Sequence, residues 1–159
     1  MLLSDVLAIK GKLLHTISPQ KTLADALALM TEQDMGSLVV IDHGVLAGML
    51  TFREVLAAIH AAGRDWQAIP VAEVMLRDPA VGEPRMDLHE LRSHMIDHHQ
   101  RYLPVVEHGT LLGVISFHDV ARAVLEEQGF ESLILRNFVR NWEDEVLPVG
   151  KPSANSSDR

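Results

Sequence analysis

The chain repeats itself at a spacing of 65 residues, so each half constrains the fold of the other. The segment 16–58 aligns without a gap on the segment 81–123. Identical residues recur along the alignment, among them Pro19 and Pro84, Leu23 and Leu88, Met30 and Met95, Val40 and Val105, Gly48 and Gly113, and Phe52 and Phe117. Because identity at a fixed spacing marks duplicated structural units, we expect two copies of one supersecondary motif.

Each copy predicts a helix, a β-hairpin and a second helix. Apolar residues recur at intervals of three and four after Pro19 and Pro84, which predicts helices over 22–33 and 87–99. Two β-rich runs joined by a His-Gly turn follow in each copy, at 37–41 and 45–50 and again at 102–106 and 110–115. The hairpins then run into predicted helices over 52–62 and 117–128. The fold class is therefore α+β, with tandem repeats of one unit.

The segments outside the repeat set the remaining boundaries. A short lead helix is predicted before each motif, at 4–7 and 72–75, and Gly63 and Pro70 bound a linker. Beyond Gly129, apolar residues at helical spacing predict an amphipathic helix. We expect a first motif with its lead helix at 1–62, a linker at 63–70, a second motif with its lead helix at 71–128, a C-terminal helix at 129–146 and a flexible tail at 147–159.

Charge and composition exclude several classes of protein. A formal net charge of −8 argues against a protein that works by neutralising nucleic-acid phosphates. The absence of cysteine excludes disulfides and thiolate metal sites. No apolar stretch approaches the roughly 20 residues of a membrane-spanning helix, and the N-terminus lacks a signal-peptide pattern. We therefore expect a cytoplasmic protein with neither nucleic acid nor membrane as partner.

One short pattern recurs where each hairpin meets its second helix. Residues 48–54 read GMLTFRE and residues 113–119 read GVISFHD, which share a glycine, a hydroxyl residue and an acid. The hydroxyl falls at a helix N-terminus, where free N–H groups and the helix dipole favour a phosphate. The acid, one turn on, can accept hydrogen bonds from ribose hydroxyls. The same residues also fit ordinary capping boxes, but the recurrence of the whole pattern favours a binding site.

The chain resembles the cystathionine-β-synthase (CBS) domain family from Ser4 to Gln128. The resemblance lies in the two junctions, in the strand 101–106 (RYLPVV) and in the helix openings at Pro19 and Pro84. The resemblance implies a stand-alone pair of CBS motifs packed through their sheets with pseudo-twofold symmetry, and commonly a homodimer. It implies a regulatory sensor that binds AMP, ADP, ATP, or sometimes NAD or S-adenosylmethionine, in two clefts between the motifs. AMP is the expected ligand, and the module is expected to act in trans on an unknown effector protein.

The resemblance also implies roles for individual residues. In the family, the hydroxyl and the acid of the junction hold phosphate and ribose, while backbone and apolar groups near the first strand take the adenine. The second junction fits this pattern, whereas Glu54 stands where an aspartate is usual, so we expect the second cleft to bind more tightly. Arg101 is the candidate for a phosphate contact. The full set of candidate nucleotide-binding residues is Thr16, Ile17, Gly48, Thr51, Arg53, Glu54, Val81, Arg101, Tyr102, Pro104, Gly113, Ser116, His118 and Asp119.

Two other interpretations of the sequence remain open. His94 and His98 are four residues apart on a predicted helix that also carries Asp97, which is metal-ligand spacing, although surface histidines are the commoner explanation. The apolar stripe beyond Gly129 could dock another protein while the clefts stay empty, or pack within this chain or its dimer mate. No nucleophile elbow, P-loop or dinucleotide motif is present, so we expect no catalysis. We expect dimer contacts through the helices that follow the hairpins, around 55–59 and 120–124.

Overall fold

Helices and strands follow one another in the order that the repeat predicts. The computed structural model of the chain describes residues 1–11 and 14–145. The helices are α1 (Leu3–Lys10), α2 (Leu23–Glu32), α3 (Phe52–Ala62), α4 (Val71–Val74), α5 (Leu88–Asp97) and α6 (Phe117–Glu145). The strands are β1 (Thr16–Ile17), β2 (Ser37–Asp42), β3 (Val45–Thr51), β4 (Leu76–Arg77), β5 (Tyr102–Glu107) and β6 (Thr110–Ser116). The predicted α+β class with two helix–hairpin–helix repeats is confirmed.

The two hairpins have the same register, residue for residue. Ser37 lies opposite Thr51 in the first hairpin, and Tyr102 lies opposite Ser116 one repeat later. In the turn of the first hairpin His43 has φ 48° and Gly44 has φ 79°, and the second turn repeats these values within one degree. Positive φ at both central residues is the type I′ geometry that matches the twist of the flanking strands. In each hairpin turn the histidine as well as the glycine therefore has left-handed backbone conformation.

Side-chain caps and one apolar face account for the first helix of each motif. Thr22 and Asp25 cap each other at the start of α2, with N–H to oxygen distances of 3.2 and 3.0 Å. Asp87 starts α5 by accepting hydrogen bonds from the N–H groups of His89 and Glu90. The buried residues are Leu23, Ala26 and Met30 on α2 and Leu88, Leu91 and Met95 on α5. One face of each helix is thus buried against its hairpin, as the periodicity predicts.

Each lead helix packs into the core of the other motif. Leu3 and Val6 of α1 lie in one buried cluster with Leu88 of the second motif. Val71 of α4 lies in the buried cluster of the first motif, together with Leu23. The sequence groups each lead helix with the motif that follows it, whereas the packing places it against the other motif. Because neither core is complete without a helix from the other half, the two repeats are held together as one unit, Met1–Val124.

The two helices predicted on either side of Gly129 form one helix, α6. The φ of Gly129 is not in the left-handed region, and a Cβ at this position would meet nothing within 4 Å. A glycine inside a helix costs about 1 kcal/mol relative to alanine, which is too little to end a helix between good helix formers. A second compact unit begins at Leu125.

The remaining predictions for the C-terminal region lie mostly outside the described part of the chain. The predicted tail at 147–159 falls there entirely. Of the predicted apolar stripe, Leu133 has a described side chain, which is 55% exposed. Within residues 1–11 and 14–145, no helix combines the length and the apolar character that crossing a bilayer requires.

Candidate functional site

Both junctions are capping boxes at the start of a helix. In the first, Glu54 Oε2 accepts hydrogen bonds from the Thr51 N–H, at 2.8 Å, and from the Thr51 hydroxyl. In the second, Asp119 Oδ2 accepts from the Ser116 N–H at 2.9 Å, and the Asp119 N–H donates to Ser116 Oγ at 3.1 Å. The capping geometry that the sequence also allowed is therefore present at both places. A ligand at either junction must share groups that already have protein partners.

A cavity of about 730 Å³ lies beside the second junction. It is lined from the second motif by Arg101, Tyr102, Val114, Ser116, Phe117 and His118. It is lined from the first half of the chain by Lys10, Leu14, His15 and the turn 34–37. Because its walls come from both repeats, the cavity is a cleft between the two motifs. Its volume falls within the range of about 300–1,000 Å³ that is typical of small-molecule sites.

Helix α1 brings a lysine to the acid of the second junction. Lys10 Nζ lies 2.7 Å from Asp119 Oδ2, and the two side chains are 30% and 22% exposed. Burial alone would raise the pKa of Asp119, but the hydrogen bonds from Lys10 and Ser116 outweigh burial and lower this pKa below its ordinary value. The carboxylate is therefore ionised at neutral pH and offers only hydrogen-bond acceptors.

A histidine in the same cavity has an unused ring nitrogen. His15 Nε2 is buried and has no hydrogen-bond partner among the described residues. Buried polar atoms are usually paired, so an unpaired one in a cleft wall is a position that a polar ligand atom could fill. His15 thus adds a recognition group to the cleft that holds Ser116 and Arg101.

The two junctions differ in charge at corresponding positions. Alignment of the motifs, and of the lead helices with Leu7 on Met75, gives the pairs Arg101 and Gly36, His15 and Ala80, and Lys10 and Asp78. In each pair the residue at the second junction is a cation or an imidazole, and its counterpart is neutral or acidic. At these three pairs the side chains suited to a phosphate lie at the second junction, whereas a fourth pair gives the first junction Arg53 opposite His118.

The glycine of each junction is explained by packing. A Cβ on Gly48 would lie 2.5 Å from the carbonyl oxygen of Leu76 and 3.0 Å from Met75 Sδ. A Cβ on Gly113 would lie 2.8 Å from a methyl group of Leu7. Neither glycine lines the 730 Å³ cavity. Protein atoms of the segments that lead into the two motifs therefore fill the space beside these glycines.

The residues predicted to contact adenine line other cavities. Thr16 and Ile17 border a cavity of about 330 Å³, and Ile17 is buried in the first core. Val81 borders a cavity of about 490 Å³ beside the His108-Gly109 turn. The residues just before β1, Leu14 and His15, line the main cleft instead. No local motif marks these two positions or Lys10; the signal in the sequence is the unequal residue types at corresponding positions of the repeat.

The other predicted site residues are placed as follows. Arg53 is exposed at the start of α3, in the position that His118 occupies in α6. The Tyr102 hydroxyl lies so close to Gly36 that a Cβ there would be 2.0 Å from its oxygen, which ties the second motif to the first. Pro104 is buried within β5. Thr51, Arg53 and Glu54 do not line the 730 Å³ cavity.

Pro104 alters how the second motif holds the segment before its hairpin. In the first motif the Val39 N–H donates to the His15 carbonyl at 3.2 Å. The repeat places Pro104 at the position of Val39, and proline has no N–H to donate. The carbonyl of Ala80, the counterpart of His15, must therefore find another donor.

The side chain of Gln100 supplies that donor. Its Nε2 donates to the carbonyl oxygens of Ala80 and Tyr102, at 3.0 and 2.9 Å, and its Oε1 accepts from the Ala80 N–H at 3.1 Å. Both backbone polar groups of Ala80 are thus bound within the protein.

The histidines of α5 do not form a metal cluster within the described residues. The rings of His94 and His98 have centroids 4.2 Å apart, and His98 Nδ1 lies 2.8 Å from the His94 carbonyl oxygen. Two imidazoles on one helix face, without a third ligand, do not complete the four-ligand set typical of zinc.

Comparison with known proteins identifies the repeated unit. The family model for the CBS domain matches the chain twice, at residues 11–61 and 71–126. The CBS domain-containing protein YhcV of Bacillus subtilis is 39% identical over 106 residues, which cover 67% of this chain and 75% of that protein.

Solved structures of CBS-domain proteins also superpose on this chain. The CBS-domain protein ATU1752 of Agrobacterium tumefaciens superposes with a TM-score of 0.75 and 27% identity, over 77% of this chain and 98% of that one. The crystal structure of CBSX2 in complex with AMP superposes with a TM-score of 0.67 and 25% identity, over 80% of this chain and 98% of that one.

Proposed function

Because this chain belongs to the CBS domain family, with both repeats matched, we propose that it is a regulatory module that binds an adenine nucleotide between its motifs. The observation that carries the proposal is the 730 Å³ cleft in which Ser116, Arg101 and His15 meet. AMP is the ligand we propose, in line with the AMP bound by the structural relative CBSX2.

The phosphate and the ribose of the nucleotide each have matching groups at the second junction. The start of α6 at Ser116 offers backbone N–H groups and the positive end of a helix dipole to a phosphate. Arg101 can bind the same phosphate with two parallel hydrogen bonds. Asp119, ionised beside the cleft, can accept hydrogen bonds from the ribose hydroxyls. His15 Nε2 is free to bind a polar atom of the ligand.

The first cleft is proposed to bind more weakly. Glu54 is one methylene longer than aspartate, and its Oε2 already accepts two hydrogen bonds from Thr51. Gly36 supplies no cation where the second cleft has Arg101. One nucleotide per chain is therefore the expected stoichiometry near the tighter dissociation constant.

The proposed role is regulation and not catalysis, exerted in trans on an effector protein. Ser116 Oγ accepts a hydrogen bond from the Asp119 N–H, and among the described residues no hydrogen bond joins this hydroxyl to a histidine that could act as its base. A ligand alters a partner only if it favours one conformation over another, and a cleft walled by both motifs couples occupancy to their relative arrangement. The cytoplasmic location and the domain boundaries given above stay predictions from the sequence.

Calorimetric and thermal-shift titration with AMP, ADP, ATP, NAD and S-adenosylmethionine tests the binding. A ligand at a hundred times its dissociation constant stabilises the fold by about 2.7 kcal/mol. At about 2–4 °C per kcal/mol for a chain of this size, the midpoint should rise by about 5–11 °C. No response to any of the five at millimolar concentration would refute nucleotide binding and leave a partner-binding module with empty clefts.

Two matched variants assign the cleft. Asp119→Ala should abolish the tighter binding event, and Glu54→Ala, the same truncation at the corresponding position of the first motif, should leave it intact. Tight binding that survives Asp119→Ala and disappears in Glu54→Ala would place the main site in the first cleft.

We also propose a homodimer, through the helices that follow the hairpins. On α3 the side chains of Phe52 and Leu56 are 53% and 65% exposed, and Phe117 at the start of α6 is 40% exposed. Exposed apolar side chains at corresponding places of the two motifs suit an interface that presents the same patch from both chains. Analytical ultracentrifugation should give twice the chain mass of 17.6 kDa, and a monomer at micromolar concentration would contradict the dimer.

A further inference from the structure

The ion pair between Lys10 and Asp119 involves a group that the proposed function assigns to the ribose. Lys10 ends α1, whose apolar residues Leu3 and Val6 are buried in the core of the second motif. The lysine is therefore held at the cleft by a packed helix, although it lies 109 residues from Asp119 in sequence. Its ammonium group occupies the same carboxylate oxygen that caps the Ser116 N–H.

The lysine also lines the cleft in which a phosphate would bind. Lys10, Arg101 and Ser116 all contribute to its wall. A lysine ammonium group has three N–H donors and no acceptor, so it can donate to a phosphate as readily as to a carboxylate. A phosphate carries more negative charge than one carboxylate and is therefore the stronger partner.

Asp119 needs different partners with and without a bound nucleotide. Without ligand, its charge lies partly buried and needs a cation nearby. With a nucleotide, its oxygens are needed as acceptors for ribose hydroxyls, and a lysine held on Oδ2 competes with them. Both side chains keep contact with solvent, which weakens the ion pair, so a phosphate contact can replace it.

We propose that Lys10 is the phosphate-selective residue of this cleft: it pairs with Asp119 in the absence of ligand and moves to the nucleotide phosphate on binding, which frees Asp119 for the ribose. This inference rests on the proposed nucleotide function and extends it to a residue outside both junctions. The corresponding position of the first cleft carries Asp78, so this exchange belongs to the second cleft alone.

The exchange predicts opposite effects on two ligands that differ by one phosphate. In Lys10→Met the affinity for AMP should fall about tenfold, the loss of one charge-assisted hydrogen bond. Adenosine should bind the same variant at least as tightly as the wild type, because Asp119 is then free. Lys10→Arg keeps the charge and should retain AMP binding. Calorimetry on the full chain with AMP and adenosine measures both effects.

Lys21→Met is the matched control, since Lys21 is an exposed lysine on the separate 330 Å³ cavity and should affect neither ligand. An equal loss of AMP and adenosine affinity in Lys10→Met, or no loss of either, would overturn the exchange while nucleotide binding itself stands. A wild type that binds neither ligand would refute the proposed function first. If Lys10→Met does not fold, Lys10→Ala carries the same test, because alanine favours the helix and likewise has no donor for Asp119 or for a phosphate.

Discussion

Replacing Gln100 by methionine should destabilise the fold through the backbone of Ala80. Methionine is the residue at the corresponding position of the first motif, Met35, so its length and shape suit this place in the unit. The change removes all three hydrogen bonds that the Gln100 amide makes, two to Ala80 and one to the Tyr102 carbonyl. The Ala80 carbonyl then has no replacement donor, because Pro104 has no N–H.

The expected loss is about 2 kcal/mol. Each hydrogen bond contributes about 1 kcal/mol net, which would give about 3 kcal/mol for three bonds. Ala80, Gln100 and Tyr102 are only partly buried, so water can replace some of what is lost. The free energy of unfolding should fall by about 2 kcal/mol and the thermal midpoint by about 4–8 °C.

Urea denaturation of the wild type and of Gln100→Met measures this loss. Gln33→Met is the control, because Gln33 is an exposed glutamine just after α2 and should cost less than about 0.5 kcal/mol. In a Pro104→Val background the loss from Gln100→Met should shrink, since the valine N–H can donate to the Ala80 carbonyl as the Val39 N–H does to His15. A Gln100→Met variant as stable as the wild type, or an unchanged loss in the Pro104→Val background, would refute the reasoning.

Three further predictions follow from particular contacts. Gly48→Ala should destabilise more than Gly113→Ala, by about 1–3 kcal/mol, because a new Cβ meets a backbone carbonyl at Gly48 and a flexible leucine methyl at Gly113; equal losses in urea would contradict this. Gly129→Ala should raise the thermal midpoint, since alanine favours a continuous helix by about 1 kcal/mol, whereas a glycine that ended a helix would make the change destabilising. Asp119→Asn should weaken the pH dependence of stability. The pKa of Asp119 in the folded protein is lowered from 3.8, so its contribution to stability is present above that pH and is lost as the pH falls through the folded pKa. Urea midpoints of wild type and variant that fall in parallel in acid would contradict this.

The repeat and its local chemistry could be predicted from the sequence because they depend on near neighbours. Helix α2 begins where Thr22 and Asp25 can cap it, and its buried residues recur with the helical period. The turn at His43-Gly44 needs left-handed backbone that glycine supplies, so both hairpins and their common register follow from the pattern. The capping geometry at Thr51 and Ser116 is local in the same sense.

Some contacts could not be predicted from the sequence alone, because they depend on the packing of distant segments. The apolar residues of α1 indicate that one side of this helix is buried, but not in which core. In the tertiary structure they are buried in the core of the second motif. The same packing places Leu7 over Gly113 and Lys10 beside Asp119, and Leu14 and His15 line the 730 Å³ cleft. Such contacts join residues far apart in the chain, and only the burial of both cores at once selects them over the alternatives.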